Sequence, residues 1–138
     1  MSNEETHVPI TSALDIVTAR QTGRTLALEL GFDGAEVTLI AAAISEVSRN
    51  IVEHAKGGEI VFQPLRQNSK HGLCVVARDS GPGIADVNQA MQYGYSSRRG
   101  LGVGLPGAKW LMDDFDIQSK VGAGTVVTMK KWVRKHAK

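Results

Sequence analysis

The chain has 138 residues, 42% of them hydrophobic, which suits one compact domain with an ordinary core spanning 1–138. Sixteen Lys and Arg stand against fourteen Asp and Glu, a net charge of +2, too balanced for charge to argue nucleic-acid binding. The polar start Ser2-Asn-Glu-Glu5 carries no secretory signal, no apolar run approaches the ~20 residues that cross a bilayer, and the one cysteine, Cys74, reads as a small buried hydrophobe, so a cytoplasmic protein without a membrane partner is expected.

In chain order, a short polar N-terminus (1–6) leads into a first strand over His7–Thr11. Apolar residues then recur at helical spacing over Ala13–Leu30, with Thr11 or Ser12 as cap and Gly31 as stop. After the short connection Gly31–Gly34, a second helix is expected from about Ala35 to about Ala55, stopped by Gly57-Gly58. The period next shifts towards strand. Glu59–Leu65 and Leu73–Asp79 flank a polar loop, Arg66–Gly72, and predict an antiparallel hairpin. Gly81–Gly100 is turn-rich. Leu105–Met112 reads as a third helix, with Pro106 in the first turn where its missing N–H is harmless. Phe115–Ser119 and Thr125–Val133 form a last strand pair, turned through Gly122-Ala-Gly124, and the basic tail over 130–138 solvates and protects the final strand. The expected class is α+β, a mostly antiparallel sheet with its helices on one face.

Three segments carry chemistry. On the second helix, Val37, Ile40, Ala41, Ile44, Val47, Ser48 and Ile51 form the stripe that packs on the sheet, while Glu46 and Asn50, four residues apart, share a face nearly opposite. Such a face is ordinarily solvated. An Asn oxygen is nevertheless a suitable single ligand for magnesium, which keeps most of its waters, and a carboxylate one turn away can deprotonate an attacking hydroxyl. Asp79 ends an apolar strand and meets Ser80-Gly81-Pro82-Gly83. That sequence suits a plain turn, and it equally suits an acid that accepts from an exocyclic amine while glycines let a flat ring approach the backbone. Gly100-Leu-Gly102-Val103-Gly104-Leu105-Pro-Gly107 places bare amides ahead of a helix N-terminus, an anion site, with Arg98 and Arg99 upstream to add charge. A dinucleotide fingerprint is excluded by the lack of a preceding strand and of βαβ alternation, and a P-loop by the lack of Gly-Lys-Ser/Thr.

Together these residues resemble the GHKL, or Bergerat, ATP-binding fold. Glu46-x-x-x-Asn50 resembles its N box, Asp79-x-Gly81-x-Gly83 its G1 box, Gly100-x-Gly102-x-Gly104 its G2 box, and Gly122-Ala-Gly124-Thr125 its last motif near the adenine, in order from about residue 10 to 133. Within that superfamily the chain is similar to the stand-alone bacterial serine/threonine kinases of the anti-sigma-factor group, on Ala13–Gln21, Ala43–Ile51 and Gly100–Asp113. The resemblance implies a two-layer sandwich with a mixed, mostly antiparallel sheet, ATP as phosphoryl donor and magnesium as cofactor. By the same resemblance Asn50 would hold magnesium, Glu46 would be the catalytic base, and Asp79 would read the adenine amino group. Gly81, Gly83, Gly102 and Gly104 would shape the pocket and its lid, Arg98, Arg99, Gly100, Val103 and Leu105 would belong to the same ATP-binding segment, and Thr125 would support the adenine end.

The resemblance further implies phosphorylation of STAS-domain partners and, on release, activation of a PP2C-type phosphatase in a stress-response partner-switching pathway; a homodimer is compatible with it. Two rivals stand beside this reading. One is an anti-sigma factor that binds a sigma factor directly and phosphorylates an anti-anti-sigma protein, sharing the active site. The other is a nucleotide-gated binding module with little catalysis, against which the retention of both Glu46 and Asn50 argues. The four histidines (His7, His54, His71, His136) are scattered, with no metal-ligand spacing and no phospho-acceptor helix ahead of the ATP motifs.

Overall fold

The structure, a computed structural model, describes residues 5–82, 91 and 104–134. Its elements are β1 (Thr6–Ile10), α1 (Ala13–Leu30), α2 (Gly34–His54), β2 (Gly58–Gln67), β3 (Lys70–Asp79), α3 (Gly104–Leu111), β4 (Asp114–Lys120) and β5 (Gly124–Trp132). The strands form one five-stranded sheet in the order β1-β2-β3-β5-β4. Every neighbouring pair is antiparallel, so among the described strands the expected mixed sheet is wholly antiparallel.

Local chemistry accounts for the helix limits. The Asp15 carboxylate reaches back to accept from the Thr11 and Ser12 amides and the Thr11 hydroxyl, and Gly31 closes α1 in the left-handed conformation at φ 97°. At the start of α2, Asp33 Oδ1 accepts from the Glu36 amide at 2.8 Å. That helix ends at His54 with Ala55 as its cap, and Gly58 already belongs to β2.

The expected loop over Arg66–Gly72 is far shorter. Both strands continue to a two-residue turn, Asn68-Ser69, with Asn68 at φ 57°. Asparagine tolerates that left-handed region, so the ladder extends through polar residues that lack strand-like alternation. The remaining boundaries shift by a residue: β1 starts at Thr6, α3 starts at Gly104, and the last pair is Asp114–Lys120 with Gly124–Trp132.

One face of the sheet carries Ile60, Phe62, Leu73, Val75, Ala77, Val127 and Met129 into a core shared with Val8 and Ile10 of β1. From the helix layer come Ala19 and Ala27 of α1 and the α2 residues Val37, Ile40, Ile44, Val47 and Ile51. This is the stripe the helical spacing predicts, and Cys74 is buried, with desolvation raising its thiol pKa. The basic end departs from expectation. Lys131 is buried, its Nζ donating to the Leu111 carbonyl at 3.0 Å and lying 3.6 Å from Asp113, while Arg134 bridges Asp113 and Glu36. No helix among the described residues is long and apolar enough to cross a membrane.

Candidate active site

Two carboxylates organise the site, and among the described residues each has one oxygen held and the other without a partner. Asp79 ends β3, where the register sets it between Gly58 of β2 and Thr125 of β5. Its Oδ1 accepts from the Gly81 amide at 2.9 Å and faces the Thr125 amide at 3.3 Å. No partner of Oδ2 occurs among the described residues. Gly124, at φ 94°, lets the β5 backbone approach: a Cβ there would collide with the Asp79 carbonyl. A Cβ on Gly81 would lie 2.7 Å from the Ala55 Cβ, so the Asp79 turn sits directly on the end of α2. Thr125 is buried, and its hydroxyl pairs with Ser119 Oγ at 2.8 Å, which fastens β5 to β4 beneath Asp79.

The second carboxylate is Glu46. It lies off the core stripe, as the helical wheel predicts, yet its side chain is only 12% exposed. The reason is α3, which packs against α2 on that side. Glu46 Oε1 accepts from the Gly104 amide at 3.0 Å and from Arg49 Nη1 at 3.1 Å. Gly104 is at φ 67°, a conformation that suits glycine at the start of this helix. Asn50 is half-buried one turn beyond Glu46, without a side-chain partner among the described residues.

Of the residues expected in the site, Glu46, Asn50, Asp79, Gly81, Gly104, Leu105 and Thr125 are described. The structure joins Glu46 to Gly104, and Asp79 to Gly81 and Thr125. The side chain of Leu105 is in the hydrophobic core. Gly83, Arg98, Arg99, Gly100, Gly102 and Val103 lie outside the described residues. Ala55 follows Glu46 by nine positions, about 13.5 Å of helical rise, so the Asp79 turn packs on the end of α2 well beyond the turn that carries Glu46. Sequence reasoning missed Arg49, Ala55 and Ser119; the i,i+3 spacing of Glu46 and Arg49 was a usable signal for the first. Shallow grooves around Lys70 and Trp132, at the far end of the sheet, contain none of the expected site residues.

No group of three or more His, Cys, Asp or Glu capable of holding a metal occurs among the described residues. The donor set near Glu46 is a neutral amide oxygen, Asn50, in place of an all-protein cage. That chemistry fits magnesium, which is bound by few protein ligands and otherwise by water and phosphate oxygens.

An antiparallel sheet backed by helices, with an acid at a strand end and a Glu-x-x-x-Asn face on the helix beside it, defines a nucleotide-binding class. The histidine kinase-like ATPase domain family matches residues 10–131, and the chain belongs to it. It is similar to the serine/threonine-protein kinase RsbT of Bacillus subtilis (strain 168), 45% identical over 132 residues that cover 96% of this chain and 99% of that one. It is also similar to the anti-sigma F factor of Caldanaerobacter subterraneus subsp. tengcongensis, 33% identical over 104 residues and 71% of each chain. The crystal structure of the RsbU and RsbW domains of a Mycobacterium tuberculosis protein superposes with a TM-score of 0.60 over 96% of this chain and 33% of that one; at 23% identity it supports the fold alone. The chain is a catalytic domain of the serine/threonine kinase class.

Proposed function

We propose that this kinase transfers the γ-phosphoryl group of ATP to a serine or threonine of a STAS-domain partner and, when released from that partner, activates a PP2C-type phosphatase in a partner-switching stress response. The observation that carries the chemical part is the pair of half-held carboxylates. Oδ2 of Asp79, without a partner among the described residues, suits an exocyclic adenine amine, and Oε2 of Glu46, likewise without one there, suits an acceptor hydroxyl. The identity to RsbT over nearly both whole chains supports the pathway assignment.

In this reading the proton of the acceptor hydroxyl moves to Glu46 Oε2 as its oxygen bonds to the γ-phosphorus. The bond from that phosphorus to the β,γ-bridging oxygen breaks, and ADP leaves. Asn50 would hold magnesium, whose charge neutralises phosphate oxygens when it is bound. Gly81 and Gly83 would border the adenine, Thr125 would support it through Asp79, and Arg98, Arg99, Gly100, Gly102, Val103, Gly104 and Leu105 would form the segment around the phosphates.

The test is incubation with labelled ATP, magnesium and purified STAS-domain proteins of the same organism, followed by mapping of the labelled residue. Label on a serine or threonine that disappears with Glu46→Gln and with Asn50→Ala supports the roles; undiminished label in either variant overturns that variant's role. A second reading is favoured by the anti-sigma F factor relatives: direct capture of a sigma factor with phosphorylation of an anti-anti-sigma protein. Stable co-purification with a sigma factor would select it.

A further inference from the structure

Arg49 is absent from the set of residues expected to act at this site, yet it touches the residue proposed as the base. We infer that Arg49 is a positioning residue that aims the Glu46 carboxylate; the inference rests on the kinase reading above and deepens it.

A glutamate on a helix has three rotatable side-chain bonds, whereas a general base must hold its oxygen within about 2.6–3.2 Å of the proton it takes. Here Oε1 is fixed from two directions. Arg49 Nη1 approaches from the next turn of α2 at 3.1 Å, and the Gly104 amide approaches from the start of α3 at 3.0 Å. Among the described residues both donors choose the same oxygen, which leaves Oε2 for the acceptor hydroxyl. An ordinary exposed i,i+3 pair would hold nothing so firmly. This pair differs because the Glu46 side chain is 12% exposed and that of Arg49 30%.

The two donors are not equivalent. Gly104 contributes a backbone amide from the start of α3, fixed by the helix it opens. Arg49 is the side-chain donor to Glu46 among the described residues, and it sits on the same helix as the carboxylate it holds. Guanidinium is well suited to orienting a carboxylate, because it stays charged and its planar fork fixes direction. The other N–H groups of Arg49 have no partner among the described residues. Arg49 should therefore matter to the transfer step and not to nucleotide affinity.

Arg49→Met keeps the length of the stem and removes the donor, and Arg49→Lys restores a charge without the fork. The measurements are the single-turnover rate of label transfer from ATP to a STAS-domain acceptor, the Kd for ATP, and hydrogen exchange of the Gly104 amide in the nucleotide-free protein. With Arg49→Met the transfer rate should fall about tenfold to a hundredfold, the scale of a misplaced catalytic group, with the Kd within about twofold of the parent. Arg49→Lys should recover part of the rate, and the Gly104 amide should exchange faster in the Met variant than in the parent. A Met variant that transfers at the parental rate, or whose Kd weakens in step with its rate, overturns the inference. If the parent transfers no label to any acceptor, the kinase reading fails by itself; unchanged Gly104 exchange in the Met variant would then overturn the positioning role independently, and faster exchange would sustain it.

Discussion

Thr125 turns its backbone N–H towards the Asp79 carboxylate, 3.3 Å from Oδ1 and 46 positions away along the chain. The Gly81 amide binds the same oxygen at 2.9 Å. The carboxylate is thus oriented by its own turn and by the neighbouring strand, before any ligand enters. Asp79→Asn separates orientation from recognition. The amide oxygen can still accept both backbone donors, but in the proposed kinase reading the NH2 that replaces Oδ2 would face the adenine amine donor to donor. An unmet buried donor costs about 1–3 kcal/mol, so the Kd for ATP should rise roughly tenfold to a hundredfold while thermal unfolding of the free protein stays close to the parent. Calorimetric titration with ATP checks this; parental affinity would remove Asp79 from the adenine site.

Gly124 makes that approach of strands possible. At φ 94°, with its missing Cβ directed at the Asp79 carbonyl, alanine would meet both backbone strain and a clash with main chain. Strain of that kind costs of order 1–3 kcal/mol. Gly124→Ala should lower the unfolding midpoint and weaken ATP binding together, because the Thr125 amide shifts with it. Gly122, also at positive φ (83°) but with open space around its Cβ position, is the control: Gly122→Ala should cost stability with little change in affinity.

The legibility of these features from sequence followed their range. The α1 limits were readable because caps and periodicity are local: Asp15 sits three residues after Ser12, and Gly31 follows the last apolar position. The α2 stripe was readable for the same reason. The β2–β3 turn was not, because Arg66, Gln67, Lys70 and His71 carry no alternation and only the backbone ladder pairs them. The enclosure of Glu46 was invisible on a helical wheel, which has no α3 in it; the Gly104 contact spans 58 positions. The Asp79 turn fell between. Its motif residues were evident, whereas the sharing of Oδ1 between Gly81 and Thr125 depends on the β3–β5 register.

Ser48 offers a test of the core. Its hydroxyl is fully buried on the α2 stripe with no hydrogen-bond partner among the described residues. Replacing such a group by alanine removes an unmet polar atom and favours the helix. Ser48→Ala should therefore be neutral or raise stability by up to about 1 kcal/mol in denaturant titration. A clear loss of stability would mean that the hydroxyl has a partner in solution.

Stability should respond to pH in opposite directions at two exposed sites. Hydrogen bonds from His7 to Glu59, then to Glu5, raise its pKa above 6.5. Its contribution is full below about 6.5, the unfolded value, and is lost as pH rises through the higher folded value. Asp15 has its pKa lowered below 3.8, first by the Thr11 amide, so its contribution is present above the unfolded value and is lost as pH falls through the folded one. His7→Gln should flatten the first dependence and Asp15→Asn the second in midpoints measured across pH. An NMR titration placing His7 at or below the ordinary histidine value would contradict the first.

The cluster at the end of α3 ranks three substitutions by burial. Lys131 Nζ donates to the Leu111 carbonyl at 3.0 Å with its side chain 7% exposed. Asp113 faces Lys131, pairs with Arg134 at 3.0 Å and accepts from the Trp132 amide at 2.8 Å. The Arg134 side chain is 68% exposed. Lys131→Met keeps the apolar stem and strands one helix-terminal carbonyl, a loss of about 1–3 kcal/mol. Asp113→Ala should cost more, because it leaves the buried ammonium without its carboxylate and the Trp132 amide without its acceptor, and uncompensated buried charge is expensive. Arg134→Gln should cost less than about 1 kcal/mol, since solvent screens an exposed pair. Urea titration of the three variants yields the order directly. If Arg134→Gln matched Lys131→Met, the contact with Glu36 at the start of α2 would have to be the stronger fastening, and the buried lysine would lose its place as the residue that ties α3 to β5.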